Sequence, residues 1–145
     1  MNTEVLDTIL VCLEQRTLFM TSIYNLTKQL QVKASQEEIL FDNLLDVRQD
    51  YMTRIDRCDL LIQVKLQELD AEQQKAVNLA LSGRELNQDS SQAIEAMSQY
   101  VMQYNALLEQ TQKLDAEAIQ LVKNRHTDIK NRINEIRHKR VNIKQ

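Results

Sequence analysis

The chain of 145 residues has no proline, one glycine, no tryptophan and only 4% aromatic residues. Proline and glycine are the usual breakers of a helical backbone, so a chain this poor in them is expected to be nearly all helix. The scarcity of aromatic side chains argues against a deep ligand pocket. Long apolar runs are missing too. The longest near the start, "ILVCL" at positions 9–13, falls far short of the roughly 20 residues that span a bilayer. The opening stretch "MNTEVLDTIL" carries Glu4 and Asp7 and no basic segment, unlike a secretory leader. A cytosolic setting is the expectation, with Cys12 and Cys58 reduced.

Hydrophobic residues make up 43% of the chain, enough to pack helices within one domain of this length. Residues 4 to about 32 read as a first helix, with Leu6, Ile9, Leu13, Met20, Ile23 and Leu30 at three- and four-residue spacing and Arg16 interrupting. The stretch "VKASQEE" breaks it. Ser35 with Glu38 three residues on forms a capping box that starts a second helix near Gln36. That helix carries Phe41, Leu44, Arg48, Tyr51, Ile55, Cys58, Ile62, Lys65 and Leu69 in alternating steps of three and four, a heptad seam with two basic interruptions. A short link between long helices predicts an antiparallel hairpin over residues 1–69. A turn centred at residue 34 or 35 puts Cys12 close to Cys58, as two small core residues of one layer.

Residues 70–89 are less regular. "DAEQQKAVNLALSG" reads as a short helix with Gly83 as the residue just beyond its end, or as a continuation of the second helix. "RELNQDSSQ" reads as a loop, with Asp89 and Gln92 forming a further capping box. From about residue 90 to the end, Ile94, Val101, Leu108, Asp115, Val122, Ile129, Ile136 and Ile143 recur every seven residues, flanked by Leu107, Leu114 and Leu121. The expected fold is therefore all-α: a helical hairpin plus a long C-terminal helix, joined in one coiled-coil-like bundle. At about 1.5 Å per residue the three long helices measure roughly 40, 50 and 80 Å. The hairpin cannot cover the last one, so self-association through the uncovered stripe, as a homodimer, is expected.

The uncovered part has its own charge. Residues 123–145 hold eight Lys or Arg against Asp128 and Glu135, about +6, while residues 1–122 carry about −9, giving the net −3. Within that basic end, Ile129, Ile133, Ile136 and Ile143 keep a narrow apolar stripe, and Arg132 and Arg140 lie among the surrounding cations. An exposed isoleucine stripe on a helix is a place for a partner to dock, so these six residues are the candidate partner site. Nucleic acid is not the expected partner, because the tail has no aromatic residue to stack on bases and the sequence pI is about 5.4. Membrane insertion is not expected, since Ile and Val without an aromatic anchor make a weak interfacial helix.

Catalysis is not expected. His126 and His138 are twelve positions apart, roughly 18 Å along a helix and too far to share a metal ion. No glycine-rich phosphate loop or nucleophile elbow is present, and no cofactor or metal is expected.

Two stretches carry a family resemblance: "ILFDNLLDVRQDYMTRIDRCD" at 39–59 and "LDAEAIQLVKNRHTDIKNRINEIRHKRVNIKQ" at 114–145. A leucine pair followed by arginine in a helical hairpin, and a basic C-terminal helix with spaced isoleucines, resemble the small flagellar export chaperones of the FlgN and FliT kind. "YVMQYNALLEQ", with Asn105 before a leucine pair, is similar to the same family. The resemblance spans somewhat under half the chain. It implies a cytosolic protein that binds the amphipathic terminal segment of a hook-associated or filament-cap subunit and prevents its premature assembly.

Overall fold

The first helix is the axis on which the rest is hung. In the computed structural model, which describes residues 3–35, 42–86 and 90–144, α1 spans Thr3–Ser35, α2 Asp42–Leu66, α3 Ala71–Leu81 and α4 Gln92–Lys144. Among the described residues there is no strand, so the fold is all-α. The side chains of residues 35, 42 and 140–144 lie outside the described set.

One seam runs the length of α1. Ile9, Leu13, Arg16, Met20, Ile23, Thr27, Leu30 and Ala34 follow one another in steps of four and three, and all are buried except Arg16, which is partly so. That spacing keeps one stripe turned inward. Two neighbours share α1. Arg16 pairs with Asp59 and Arg48 with Thr27, so α2 runs antiparallel to α1. Thr17 lies against Tyr100 and Gln31 against Glu117, so α4 runs parallel to α1.

The core is concentrated at the end that holds α3. There Ile9, Leu13, Ile62, Leu66, Val77 and Met97 join side chains from all four helices. A second, smaller cluster of Met20, Ile23 and Ile55 continues toward the other end, with Tyr51, Tyr104 and Leu108 packed on it.

Several local expectations are met and others are corrected. α3 is a helix of its own. The Asp70 side chain accepts a hydrogen bond from the Gln73 N–H at 2.8 Å, and this cap starts a new helix instead of prolonging α2. Gly83, just past α3, has φ +73, the left-handed value that ends a helix cheaply only in glycine. It sits beside Asn105 of α4, 13 residues beyond that helix's start at Gln92. At that start the Ser91 hydroxyl accepts from the Ile94 N–H, so the observed cap is Ser91, while the anticipated Asp89 lies outside the described residues.

The hairpin register differs from the sequence expectation. α1 extends through Ser35, because nothing in "VKAS" opposes a helix. Glu38 of the expected capping box lies outside the described residues. The midpoints of the Arg16–Asp59 and Thr27–Arg48 pairs both fall between residues 37 and 38, not at 34 or 35. Over the described residues α1 has 33 residues and α2 has 25, roughly 50 and 38 Å at the usual rise.

Candidate functional site

Three arginines, one on each long helix, organise the bundle toward the end away from α3. Arg16 on α1 donates from Nη1 to Asp59 Oδ1 of α2 at 3.0 Å. Its guanidinium lies 4.0 Å from the centre of the Tyr104 ring of α4, a cation–π contact that spreads its charge over an apolar layer. Arg16 Nε is buried with no hydrogen-bond partner. Arg48 on α2 donates from Nη1 to Asp115 Oδ1 of α4 at 2.7 Å and to Thr27 Oγ1 of α1 at 3.2 Å. Arg16 and Arg48 each occupy a seam position and tie three helices, while Lys65, the other basic interruption of the α2 seam, pairs with nearby Glu68.

The third arginine marks a boundary. Arg125 of α4 donates from Nη2 to the carbonyl oxygen of Ala34. Ala34 is in the last turn of α1, where carbonyls have no partner within the helix. Arg125 is also the last residue of α4 that is even partly buried among those whose side chains are described. From residue 126 the helix projects past α1.

Along that projection the candidate residues are brought together on one helix. Ile129, Ile133 and Ile136 lie on one side of it, 49%, 46% and 54% exposed. Arg132 is exposed beside them. Arg140 and Ile143 are on the same helix, and their side chains lie outside the described residues. Ile119 and Val122, which the sequence reading did not include in the site, extend the exposed stripe back toward the bundle. Their spacing from Ile129 and Ile133 is the signal that could have found them. His126, exposed, falls within the same line.

The rest of the molecule offers little chemistry. Among the described residues no group of three or more His, Cys, Asp or Glu could hold a metal ion. No described helix is long and apolar enough to cross a membrane. An open groove between α3 and the start of α4 is lined by Leu6, Asp70, Leu79 and Ile94 without a buried charge. Cys12 is buried and Cys58 half-buried, both unbridged, in or against the main core cluster. Burial pushes both thiols above their usual range. For Cys58 the neighbouring Cys12 and Asp59 add to the rise and Arg16 opposes it. These are core thiols, not the low-pKa kind that reacts. The Tyr104 phenol is also pushed up, chiefly by burial and against the pull of Arg16.

Comparisons with protein-family models, curated proteins and solved structures found no match to this chain.

Proposed function

We propose that this chain is a helix-capturing chaperone of flagellar export, which holds the amphipathic terminal segment of a hook-associated or filament-cap subunit on the distal part of α4. The observation that carries the proposal is the line Ile129, Ile133 and Ile136, about half exposed on a stretch of helix that no other described element covers. A fully buried isoleucine is worth roughly 1.5–3 kcal/mol relative to an exposed one, so covering three half-exposed ones has a clear driving force. The short bundle anchors the helix over residues 92–125 and leaves residues 126–144 presented, which suits capture of a partner by helix-to-helix packing. The flagellar assignment of the partner rests on the resemblance of residues 39–59 and 114–145 to that chaperone family.

A second reading comes from the same stripe: its three- and four-residue spacing is that of a coiled-coil seam, so the chain could be a structural coiled-coil protein that forms a homodimer and has no client. Sedimentation of the free chain, and titration with the terminal helix of a hook-associated or filament-cap subunit, separate the two. The chaperone reading expects saturable binding that is lost in Ile129→Asp. Binding unchanged by that substitution would rule the stripe out as the capture surface.

A further inference from the structure

The distal stripe is the same face of α4 that builds the bundle core. Within the bundle, α4 turns Ile94, Met97, Val101, Tyr104, Leu108, Thr111 and Asp115 toward its neighbours. Farther on, the apolar positions change phase to Ile119, Val122, Ile129, Ile133 and Ile136, with His126 in line. An α-helix turns about 100° per residue, so a strict seven-residue line drifts by about 20° per heptad. The change of phase cancels that drift. On a straight α4 the mean directions of the two sets agree to within about 20°. The face that packs on α1 inside the bundle therefore continues past the end of α1, still apolar.

Cations border this continuation on both sides. Lys123, Lys130 and Arg137 recur every seven residues along one edge, and Arg125, Arg132 and Lys139 along the other. All are exposed except Arg125, which is committed to Ala34. By the same geometry Asp128 and Glu135 lie off the apolar line, one turn before Arg132 and Lys139 and next to that edge, and far from the edge of Lys123, Lys130 and Arg137. In helix pairs, residues at these edge positions meet the edge residues of the partner and select it by charge.

From this geometry we infer that distal α4 accepts one amphipathic helix of about five turns that carries carboxylates on both flanks, lying where α1 would continue. The inference rests on the reading of distal α4 as a protein-docking face and names the chemistry of what docks there. A second copy's tail is the wrong occupant, because it would set cationic edges against cationic edges. A nucleic acid would meet the cations but leave the isoleucines in water.

The test uses the full-length chain and three designed 18-residue helical peptides, measured by fluorescence anisotropy. The first has a leucine stripe with Glu on both flanks. The second has the same stripe with Lys on both flanks. The third scrambles the first, keeping its charge and losing its stripe. The first peptide is expected to bind at least tenfold tighter than either of the others. A chain carrying Lys130→Glu, Arg132→Glu and Arg137→Glu is expected to prefer the second peptide, with circular dichroism confirming an intact helical fold. Equal binding of the first two would overturn the charge assignment and leave the docking face standing. Equal binding of the first and third would overturn the docking face as well, since charge alone would account for the contact. Failure of every peptide to bind overturns the inference. In that case dimers that dissolve in Ile133→Asp would identify a second copy as the occupant, and a strict monomer would remove the docking face altogether.

Discussion

Arg125 reaches from α4 to the carbonyl oxygen of Ala34 in the last turn of α1, and beyond this contact every described side chain of α4 is exposed. The bond satisfies a carbonyl that the end of α1 leaves without a helical partner. Arg125→Ala should cost about 0.5–1.5 kcal/mol and speed amide exchange in the last turn of α1. Unchanged melting together with unchanged exchange at residues 31–35 would mean that the contact does not hold the two helices together.

The Arg48–Asp115 pair should behave as a coupled tie. Arg48 is largely buried, with its side chain 16% exposed, while Asp115 is 37% exposed. Asp115→Leu removes the carboxylate and leaves a mostly buried guanidinium with Thr27 alone. A loss of about 1–3 kcal/mol follows for either single change, Asp115→Leu or Arg48→Met. The double variant should lose less than the two singles combined. Chemical denaturation of all four proteins measures this, and strict additivity would show the pair to be ornamental.

The raised thiols give a pH dependence with a definite sign. Burial holds Cys12 and Cys58 protonated in the folded chain at pH values where the unfolded chain already ionises. Their contribution to stability is complete below the ordinary thiol range of about 8.5 and is lost as pH rises above it. Urea midpoints should stay level from pH 7 to 8 and then fall more steeply for the natural chain than for the Cys12→Ala, Cys58→Ala variant. That variant should also lose on the order of a kcal/mol per buried site at neutral pH. Parallel alkaline curves for the two proteins would contradict this account of the thiols.

For client binding, the apolar line and the cations should differ in kind. Ile129→Asp or Ile136→Asp puts a charge into a contact that must be dry. Affinity for a client helix should drop by at least tenfold, which is about 1.4 kcal/mol. Reversing Lys130 or Lys139 should cost less, mainly by slowing association, and the loss should shrink with added salt. Titrations at two salt concentrations read both effects. The opposite ranking would point to a nucleic acid or an anionic surface in place of a protein helix.

Much of this architecture was legible in the residues. Ile55, Ile62 and Leu69 of the expected α2 seam are buried, and Ile94 and Val101 of the seven-residue line lie in the core. Gly83 marks the end of α3 as composition suggested. The hairpin register was not legible, because a serine followed by a glutamate is a local signal and the length of α1 is settled by packing along its whole seam. Thr17, Thr27 and Thr111 are buried, yet a search for apolar positions passes over them. Their hydroxyls donate to the carbonyls of Leu13, Ile23 and Leu107 one turn back, which lets a polar residue sit in the seam. Arg16 and Arg48 looked like faults in two stripes for a different reason: their partners Asp59, Tyr104 and Asp115 lie on other helices. In the candidate site the isoleucines were found directly. The turn of phase between Asp115 and Ile119 became meaningful only once the end of α1 was placed beside Arg125.

The most direct test compares the full chain with one ending at Arg125 in a calorimetric titration with the amphipathic terminal helix of a hook-associated or filament-cap subunit. Because α4 buries no described side chain beyond Arg125, the shortened chain should keep its fold and melt within a few degrees of the full chain. The account predicts saturable binding by the full chain and none by the shortened one. Equal binding by both, at equal stability, would contradict it.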